Sequence, residues 1–557
     1  MKQGLWIVVT AALLAGSAPV SYAAETESET KQDIVILATS DVHCGIDKNF
    51  AYAGLKQIRE MYENNGDDTI LVDSGDSVQG ETIGMMTGGD AIIDLMNDLK
   101  YDVAAPGNHE FDYGTDQFFE LEERAEFPYI SCNFSKEGEL VFDPYIIKDV
   151  NGTKIGFVGV TTPETITVST PLYFQDEEGN YIYGFLQEDE TGQALYDAVQ
   201  DAVDKAREEG AEYIFLLSHL GESEASEPWT YADLISNTSG IDIVFDGHSH
   251  DTNQVVMEDK DGREVLRMGL GTKLNVIGCV RISAEDGSIS NELLTWNNTL
   301  SFPQMAGIEN DIDASVKKDL EELEKELGYS IASTPFDLIV DDPEEVDESE
   351  MPDFIIRNKE TNLGDLVADA FLSVSGADVA VFNGGGIRTE IAAGDITYGE
   401  LINVMPFENE MVVLEVTGQQ ILDALEWGAR AVPDESGGFL HVAGMTYEIH
   451  ADISSSCKED ENGMFAGVEG EYRVQNVMIG DEALDPEKTY SLSSNDYTLM
   501  HLGDGFAMFD GCKVLQEGPQ IDVQVMIAYL TETLGGVVSD EYKNPYGQGR
   551  IKIILPA

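Results

Sequence analysis

Residues Asp33 to Thr39 read DIVILAT, a continuous apolar run that leads through Ser40 into Asp41-Val42-His43. A short run rich in β-branched residues predicts a strand that is buried on both faces. Four further segments repeat this pairing of an apolar run with a polar cluster behind it. They are Thr69 to Val72 before Gly75-Asp76, Val103 to Ala105 before Gly107-Asn108-His109-Glu110, Ile214 to Leu217 before Ser218-His219, and Ile241 to Phe245 before Gly247-His248-Ser249-His250.

Helical patterns separate these predicted strands, for example from Ala51 to Tyr62 and from Leu195 to Glu209. The alternation predicts an α/β fold, and we expect a four-layer α/β/β/α sandwich. Because open α/β sheets place their ligand sites at the carboxyl ends of the strands, the five polar clusters are expected to meet at one site.

The chain has eight histidines, and five of them fall inside the five clusters. Such clustering indicates metal ligands and an acid rather than core residues. The two-residue spacings Asp41/His43 and His248/His250 place each pair on one side of an extended backbone. The ligand sets that follow are Asp41, His43, Asp76 and His250 for one ion, and Asp76, Asn108, His219 and His248 for a second ion, with Asp76 shared.

Imidazole mixed with carboxylate suits Zn, Mn, Fe or Co better than Mg or Ca. Two such ions activate a water molecule and hold phosphoryl oxygens, so the cluster predicts phosphoester hydrolysis. His109 directly follows the predicted ligand Asn108 and is interpreted as the charge stabiliser or general acid at the leaving group. Asp112, three residues on, is expected to orient its ring. Each motif occurs singly by chance, and the prediction depends on five of them in a fixed order.

Composition excludes several classes of function. The chain carries 105 acidic and 31 basic residues, a formal charge of −74, and such a surface repels nucleic acid and anionic lipid. Neither nucleic acid nor a membrane is therefore an expected partner. Residues 1–24 combine Lys2, an apolar run from Leu5 to Leu14 and the cleavage site Ser21-Tyr22-Ala23, which predicts a signal peptide and an exported protein. Five cysteines allow at most two disulfides, and the pairing stays open.

The second half restarts after the charged helical stretch from Asp311 to Leu327 and the acidic run from Asp341 to Glu350. The predicted domains are residues 31–310 for the phosphoesterase, 311–345 for a helical linker and 346–557 for a second α/β domain. The sequence motifs of this last domain are NLGDL at 362–366, NGGGIR at 383–388, MPFEN at 405–409 and GDGF at 503–506.

Together with the five clusters, these segments resemble the 5′-nucleotidase family of the calcineurin-like metallophosphoesterase superfamily. The resemblance covers nearly all of the mature chain. It implies a small-molecule nucleotide as the partner, a C-terminal domain that binds the nucleoside, and rotation about the linker that brings the nucleotide to the metals.

The resemblance also assigns substrate residues. Arg388 and Arg357 match arginines that hold the phosphate or ribose end, with surface ion pairs as the alternative for both. Phe407 matches one wall of an aromatic clamp for the base. The position six before Asp504, usually aromatic, holds Thr498, so we take Tyr497 as the second wall with a one-residue insertion. The remaining predicted contacts are Asn383 in the turn, Asn409 at the base edge and Asp504 at the ribose hydroxyls.

Four functions remain open. The leading one is hydrolysis of nucleoside 5′-phosphates, a phosphoric monoester hydrolysis, and Asp112 favours it over the related 2′,3′-cyclic-nucleotide and 3′-nucleotide activity. Tyr497 favours the related activity, and hydrolysis of UDP-sugars is a further alternative. A catalytically idle nucleotide-binding surface protein is the alternative from another class, although no predicted metal ligand is missing.

Overall fold

The computed structural model describes residues 32–176, 179–189, 191–223, 226–296, 308–343, 354–460 and 462–555. The predicted signal peptide and most of the acidic run 341–350 lie outside these residues. Within them, no helix is both long and apolar enough to cross a membrane. All five cysteines are free thiols, so neither of the two possible disulfides is present.

Two mixed sheets form the N-terminal half. The first sheet has five strands in the order Ile289–Thr295, Val276–Ile282, Ile34–Thr39, Asp68–Asp73 and Val103–Ala104. The second has six strands in the order Gln254–Glu258, Glu264–Gly269, Ile243–Asp246, Tyr213–His219, Thr153–Thr161 and Tyr145–Val150. The strands that precede the five polar clusters run parallel within their sheets, so their carboxyl ends share an edge.

Apolar side chains pack on both faces of the two sheets and produce four layers. Ile36 and Val72 of the first sheet lie in one buried cluster with Phe215 and Phe245 of the second. The outer face of the first sheet packs against the helices Ala51–Asn65, Asp90–Leu99 and Thr115–Arg124, and the outer face of the second packs against Gln193–Glu208 and Tyr231–Asn237. The α/β/β/α sandwich is confirmed.

The C-terminal half is also α/β, as predicted. Its five-stranded sheet has the order Leu440–Ala443, Val379–Asn383, Thr489–Asn495, Glu410–Thr417 and Lys513–Ile521. A four-stranded sheet has the order Glu482–Ala483, Val474–Ile479, Met445–His450 and Ile551–Ile554. Its helices include Asn362–Ser375, Tyr398–Val404, Gly418–Gly428, the single turn Asp496–Leu499 and Asp522–Ala528. Thr361 begins the first of them, because its side chain accepts a hydrogen bond from the backbone N–H of Gly364 at 3.1 Å.

The helix Asp311–Leu327 connects the two halves with the bounds that its charge pattern predicts. Ile312 and Val316 at its start are buried in the N-terminal core, whereas Leu327 at its end is buried in the C-terminal core. On that basis we propose that the predicted boundaries at residues 310 and 345 divide the chain into its two domains.

Candidate metal centre and active site

The five polar clusters meet at the shared carboxyl edge of the two sheets. Three groups of side chains offer ligand atoms within 4.8 Å of one another: Asp41, His43 and His250; Asp76, His219 and His248; and His43, Asp76 and His109. The seventh predicted ligand, Asn108, lines the same cleft. Its buried Oδ1 has no hydrogen-bond partner among the described residues. The structure therefore brings all seven predicted ligands together.

The backbone at these residues is not extended. The strand before the first cluster ends at Thr39, and Asp41 and His43 have φ angles of 51° and 45°. His248 and His250 have φ angles of 75° and 56°. Our explanation that strand alternation aims each pair at one side was therefore wrong. The side chains converge because left-handed turns redirect them, and such strained backbone is concentrated at functional sites.

Hydrogen bonds fix the tautomer of two histidines. His43 Nδ1 lies 3.0 Å from the carbonyl oxygen of Gln79, and His219 Nδ1 lies 2.7 Å from that of Ser74. Because a carbonyl oxygen only accepts, each Nδ1 carries the proton and each Nε2 is left to bind a metal. Burial lowers the pKa of His43 well below its usual value, so this ring is neutral.

The nitrogen and oxygen atoms of the cluster face one another as ligands of a cation do. His43 Nε2 lies only 3.1 Å from His250 Nε2. His219 Nε2 lies 3.0 Å from Asp76 Oδ2, and although burial opposes it, the carboxylates of Asp76 and Asp41 raise the pKa of His219 to about 10. The raised pKa favours a proton on Nε2 of His219, and a divalent cation would take the place of that proton. The residues present thus fit a metal centre.

The carboxylate of Glu164, which the sequence analysis did not identify, holds His248 in place. Nε2 of His248 lies 3.3 Å from Glu164 Oε2, and Ser226 Oγ donates to the same oxygen at 2.8 Å. Although burial opposes it, the hydrogen bond from His248 lowers the pKa of Glu164, so the carboxylate accepts and Nδ1 of His248 stays free for a metal. The available signal was the strand Thr153–Thr161, which also ends in a polar segment, Thr162-Pro163-Glu164.

Glu110 holds the loops around the cluster. Its carboxylate accepts backbone N–H groups of Asp76 and Ser77 at 2.8 Å each and of Gly107 at 2.7 Å. Burial raises the pKa of Glu110 to about 7. Gly107 itself permits the close approach, since a Cβ there would lie 2.3 Å from Asp76 Oδ1.

His109 and Asp112 form a pair beside the metal cluster. His109 Nδ1 lies 2.5 Å from Asp112 Oδ2, and Ser169 Oγ donates to the other oxygen of Asp112 at 3.1 Å. The His109 side chain is 14% exposed and lines the cleft. Because Asp112 binds Nδ1, the opposite nitrogen of the ring is the one available to a bound molecule.

The cleft has a volume of about 1470 Å³ and extends into the C-terminal half. All seven residues predicted to bind substrate line it: Arg357, Asn383, Arg388, Phe407, Asn409, Tyr497 and Asp504. The Phe407 ring stacks near His109, with centroids 6.5 Å apart and planes at 26°.

Arg388 and Arg357 lie side by side at this junction. Burial and, to a smaller extent, the charge of Arg357 lower the pKa of Arg388 to about 10. Arg388 Nη1 donates to the carbonyl oxygen of Gly385 at 3.4 Å, and Arg357 Nε has no hydrogen-bond partner among the described residues. Two adjacent half-buried cations form a site for an anion such as a phosphate group.

Asp504 lies deeper in the cleft and is fixed by neighbours. Asn383 Nδ2 donates to its Oδ2 at 3.2 Å, and Asn495 Nδ2 donates to Asn383 Oδ1 at 3.0 Å. Burial raises the pKa of Asp504 to about 6. Its remaining carboxylate oxygen faces the Gly437-Gly438 loop, where a Cβ on Gly437 would lie 3.3 Å away.

Comparison with known proteins agrees with this geometry. The family model for calcineurin-like phosphoesterases matches residues 34–252, and the model for the 5′-nucleotidase C-terminal domain matches residues 345–511. The chain belongs to the 5′-nucleotidase family. It is therefore a metal-dependent phosphoester hydrolase.

Individual relatives of this nucleotidase-family chain cover most of its length. It is 29% identical to the trifunctional nucleotide phosphoesterase protein YfkN of Bacillus subtilis over 94% of this chain, but it spans only 35% of that relative. It is 26% identical to the 5′-nucleotidase of Vibrio cholerae, covering 95% of this chain and 96% of the relative. The crystal structure of a 5′-nucleotidase precursor from Thermus thermophilus superposes with a TM-score of 0.77 at 25% identity, covering 94% of this chain and all of that one.

A buried arginine supports the loop that carries two ligands of this nucleotidase-family site. Arg267 is fully buried, and its Nη2 donates to Asp246 and to Asp251 at 2.7 Å each. Asp251 directly follows His250, and Asp246 also accepts from Ser218 Oγ at 2.6 Å. Arg267 thus ties together the strand ends that hold His219 and His248.

Replacing Arg267 with methionine is expected to lower the free energy of unfolding of the N-terminal half by about 3–5 kcal/mol, because the buried carboxylate of Asp246 and the half-buried one of Asp251 lose their partner. Scanning calorimetry measures the change as a lower melting temperature. The matched control is Arg263→Met, since Arg263 is 54% exposed and pairs with Asp242 at 3.2 Å. Its loss should cost less than about 1 kcal/mol. Equal effects of the two variants would contradict the structural role of Arg267.

Proposed function

We propose that this protein hydrolyses nucleoside 5′-phosphates to nucleoside and phosphate. The observation that carries the proposal is the meeting of the two halves in one cleft. The guanidinium carbon of Arg388 lies 5.9 Å from the centroid of Phe407, and Phe407 in turn stacks near His109. Groups suited to a base and to a phosphate therefore lie next to the metal cluster.

The cluster would hold two divalent ions, with Asp41, His43, Asp76 and His250 at one and Asp76, Asn108, His219 and His248 at the other. We propose zinc, manganese or cobalt, because imidazole and carboxylate ligands suit these metals. Bound ions would draw electron density from the phosphoryl group and lower the pKa of the attacking water.

The protein's own residues supply the remaining chemistry. Arg388 and Arg357 would bind phosphoryl oxygens and keep the phosphate in place. His109, oriented by Asp112, would stabilise the charge that develops on the phosphoryl group or protonate the leaving ribose oxygen.

The nucleoside would be held by the C-terminal half. Phe407 and Tyr497 would stack on the two faces of the base, Asn409 would contact its edge, and Asp504 would accept from the ribose hydroxyls. Stacking accepts any base, so we expect activity on purine and pyrimidine nucleotides alike.

We also propose that the protein is exported. The signal-like segment in residues 1–24 supports this, and the similar Thermus thermophilus structure is described as that of a precursor.

Activity on 2′,3′-cyclic and 3′-nucleotides is the second candidate. Tyrosine at position 497 favours it, and the Bacillus subtilis relative is named a trifunctional nucleotide phosphoesterase. Asp112 favours the 5′ activity, and through its contact with Nδ1 of His109 it would orient the His109 ring.

A substrate panel tests the proposal. The purified protein, loaded with Mn²⁺ or Zn²⁺, is offered AMP, 3′-AMP, 2′,3′-cyclic AMP and UDP-glucose, and released phosphate is measured. We expect AMP to give the highest kcat/KM. Release from the cyclic or 3′ substrates alone would establish the second candidate. No release from any of them would favour an idle nucleotide-binding protein.

A further inference from the structure

The hydroxyl group of Tyr497 joins the two halves of the protein. It lies 3.2 Å from the carbonyl oxygen of Val168 and 3.4 Å from that of Thr167. Both carbonyls belong to the helix Thr165–Val168 of the N-terminal half, whereas Tyr497 belongs to the C-terminal half. The same hydroxyl lies 3.2 Å from the backbone nitrogen of Asp504.

The direction of these hydrogen bonds follows from counting protons. The Asp504 N–H donates to the Tyr497 oxygen, which leaves the single phenolic proton to be donated elsewhere. Carbonyl oxygens at the end of a helix have no partner within the helix, and those of Thr167 and Val168 are in reach. Burial raises the pKa of Tyr497 well above its usual value, so the proton is present at neutral pH.

The Tyr497 hydrogen bond lies in the cleft, whereas other hydrogen bonds between the halves lie outside it. Thr82, for example, donates its backbone N–H to Asn403 Oδ1 at 2.8 Å, through a residue that does not line the cleft. Tyr497 instead lines the cleft, and its ring packs on Gly503 in the loop that carries Asp504. A phenylalanine at this position would keep the ring but could not join the halves.

We propose that Tyr497 is a positioning residue that holds the two halves in contact at the base site. Its ring forms one wall of the base site, and its hydroxyl bonds to the opposite half only when the halves are in contact. A nucleotide stacked on Tyr497 is thereby held in the arrangement that places Arg388 and the metal cluster side by side. The role of the ring rests on the proposed function, whereas the bond between the halves does not.

The test is Tyr497→Phe in the full chain, studied first by small-angle X-ray scattering without nucleotide. One hydrogen bond shifts an equilibrium by about 2- to 10-fold. We expect the variant to contain more of the open form and to have a larger radius of gyration than the wild type. Since adenosine would bind within the C-terminal half alone, its inhibition constant should stay within about 2-fold, while kcat for AMP falls by about 2- to 10-fold.

Tyr472→Phe is the matched control. Its hydroxyl donates to Asp423 at 2.6 Å within the C-terminal half, so its removal deletes a similar bond without affecting the contact between the halves. Scattering and kcat should equal those of the wild type.

A Tyr497→Phe protein with wild-type scattering and wild-type kcat would overturn the proposal. A shift in scattering shared by both variants would also overturn it, because the effect would then be a general loss of stability. If scattering changes in Tyr497→Phe alone but the wild type hydrolyses no nucleotide, the bond between the halves stands and the proposed function fails.

Discussion

The variant His109→Ala is expected to keep its bound metal and to lose about 10²- to 10⁴-fold in kcat. His109 borders the metal cluster, and Asp112 binds its Nδ1 at 2.5 Å, so the ring is oriented for a role toward substrate. Removing it takes away a donor at the phosphoryl group or leaving oxygen and leaves the seven predicted ligands in place. Metal content by plasma mass spectrometry and steady-state hydrolysis of AMP measure the two effects separately.

The structure also allows a different outcome. The ligand atoms of His109, His43 and Asp76 lie within 4.8 Å of one another, so His109 is itself within reach of a cation. If metal content falls in parallel with activity in His109→Ala, the residue is a ligand and our assignment is wrong. Asp112→Asn provides a second check, because it keeps the ring but removes the charge that orients it. It should retain metal and lose less activity than His109→Ala.

Much of the N-terminal site was predictable because the same short segments contain both the apolar strand and the polar residues that follow it. Buried parallel strands read as apolar runs, and their carboxyl ends meet at one edge of the sheet. A polar cluster just behind each run therefore predicts its position in space. For Asp41 and His43 the prediction holds even though its geometrical reason was wrong, since left-handed turns and not strand alternation aim the side chains.

The supporting residues were not predictable in the same way. Glu164 acts on His248, and Arg267 acts on Asp246 and Asp251, through contacts between strands that are remote along the chain. The polar segment behind the strand Thr153–Thr161 indicates the position of Glu164, but no local pattern identifies His248 as its partner, and Arg267 has no such signal. Their roles depend on tertiary packing, which only the structure supplies.

The C-terminal site depended on the family resemblance rather than on a physical pattern. Glycine-rich turns and single aromatics have many uses, and nothing local shows that Phe407 lies near His109. The structure also shows cleft residues that no motif indicated, among them Tyr173, Arg430 and His501. His501 belongs to the segment between Tyr497 and Gly503, where the chain departs from the family spacing.

Because the chain has a formal charge of −74, two neighbouring arginines in the cleft are a local exception to its negative surface. A phosphate approaching such a surface is repelled, and Arg357 and Arg388 concentrate positive charge inside the cleft. Divalent ions at the neighbouring cluster would extend that positive region. Binding of an anionic substrate should therefore depend strongly on metal occupancy.

Asp76 is the carboxylate shared by the two predicted ligand sets, so its replacement should have the largest effect on metal occupancy. Its Oδ2 lies 3.0 Å from His219 Nε2 and 3.8 Å from His43 Nε2, while its Oδ1 accepts the His109 N–H at 2.8 Å. Asp76→Asn preserves the size of the side chain and removes its charge. We expect metal affinity to fall by more than about 100-fold, the upper range for residues that only support a ligand. Hydrolysis should fall to the level of wild-type protein stripped with a chelator.

Asp47→Asn is the matched control, because Asp47 undergoes the same change of charge on an exposed loop. It should retain both ions and full activity, and circular dichroism should show that both variants are folded. Retention of two ions by Asp76→Asn would show that this carboxylate is not a ligand. Retention of one ion would assign Asp76 to a single site. Loss of a ligand that two ions share weakens the binding of both, whereas loss of a ligand to one ion weakens the binding of that ion alone.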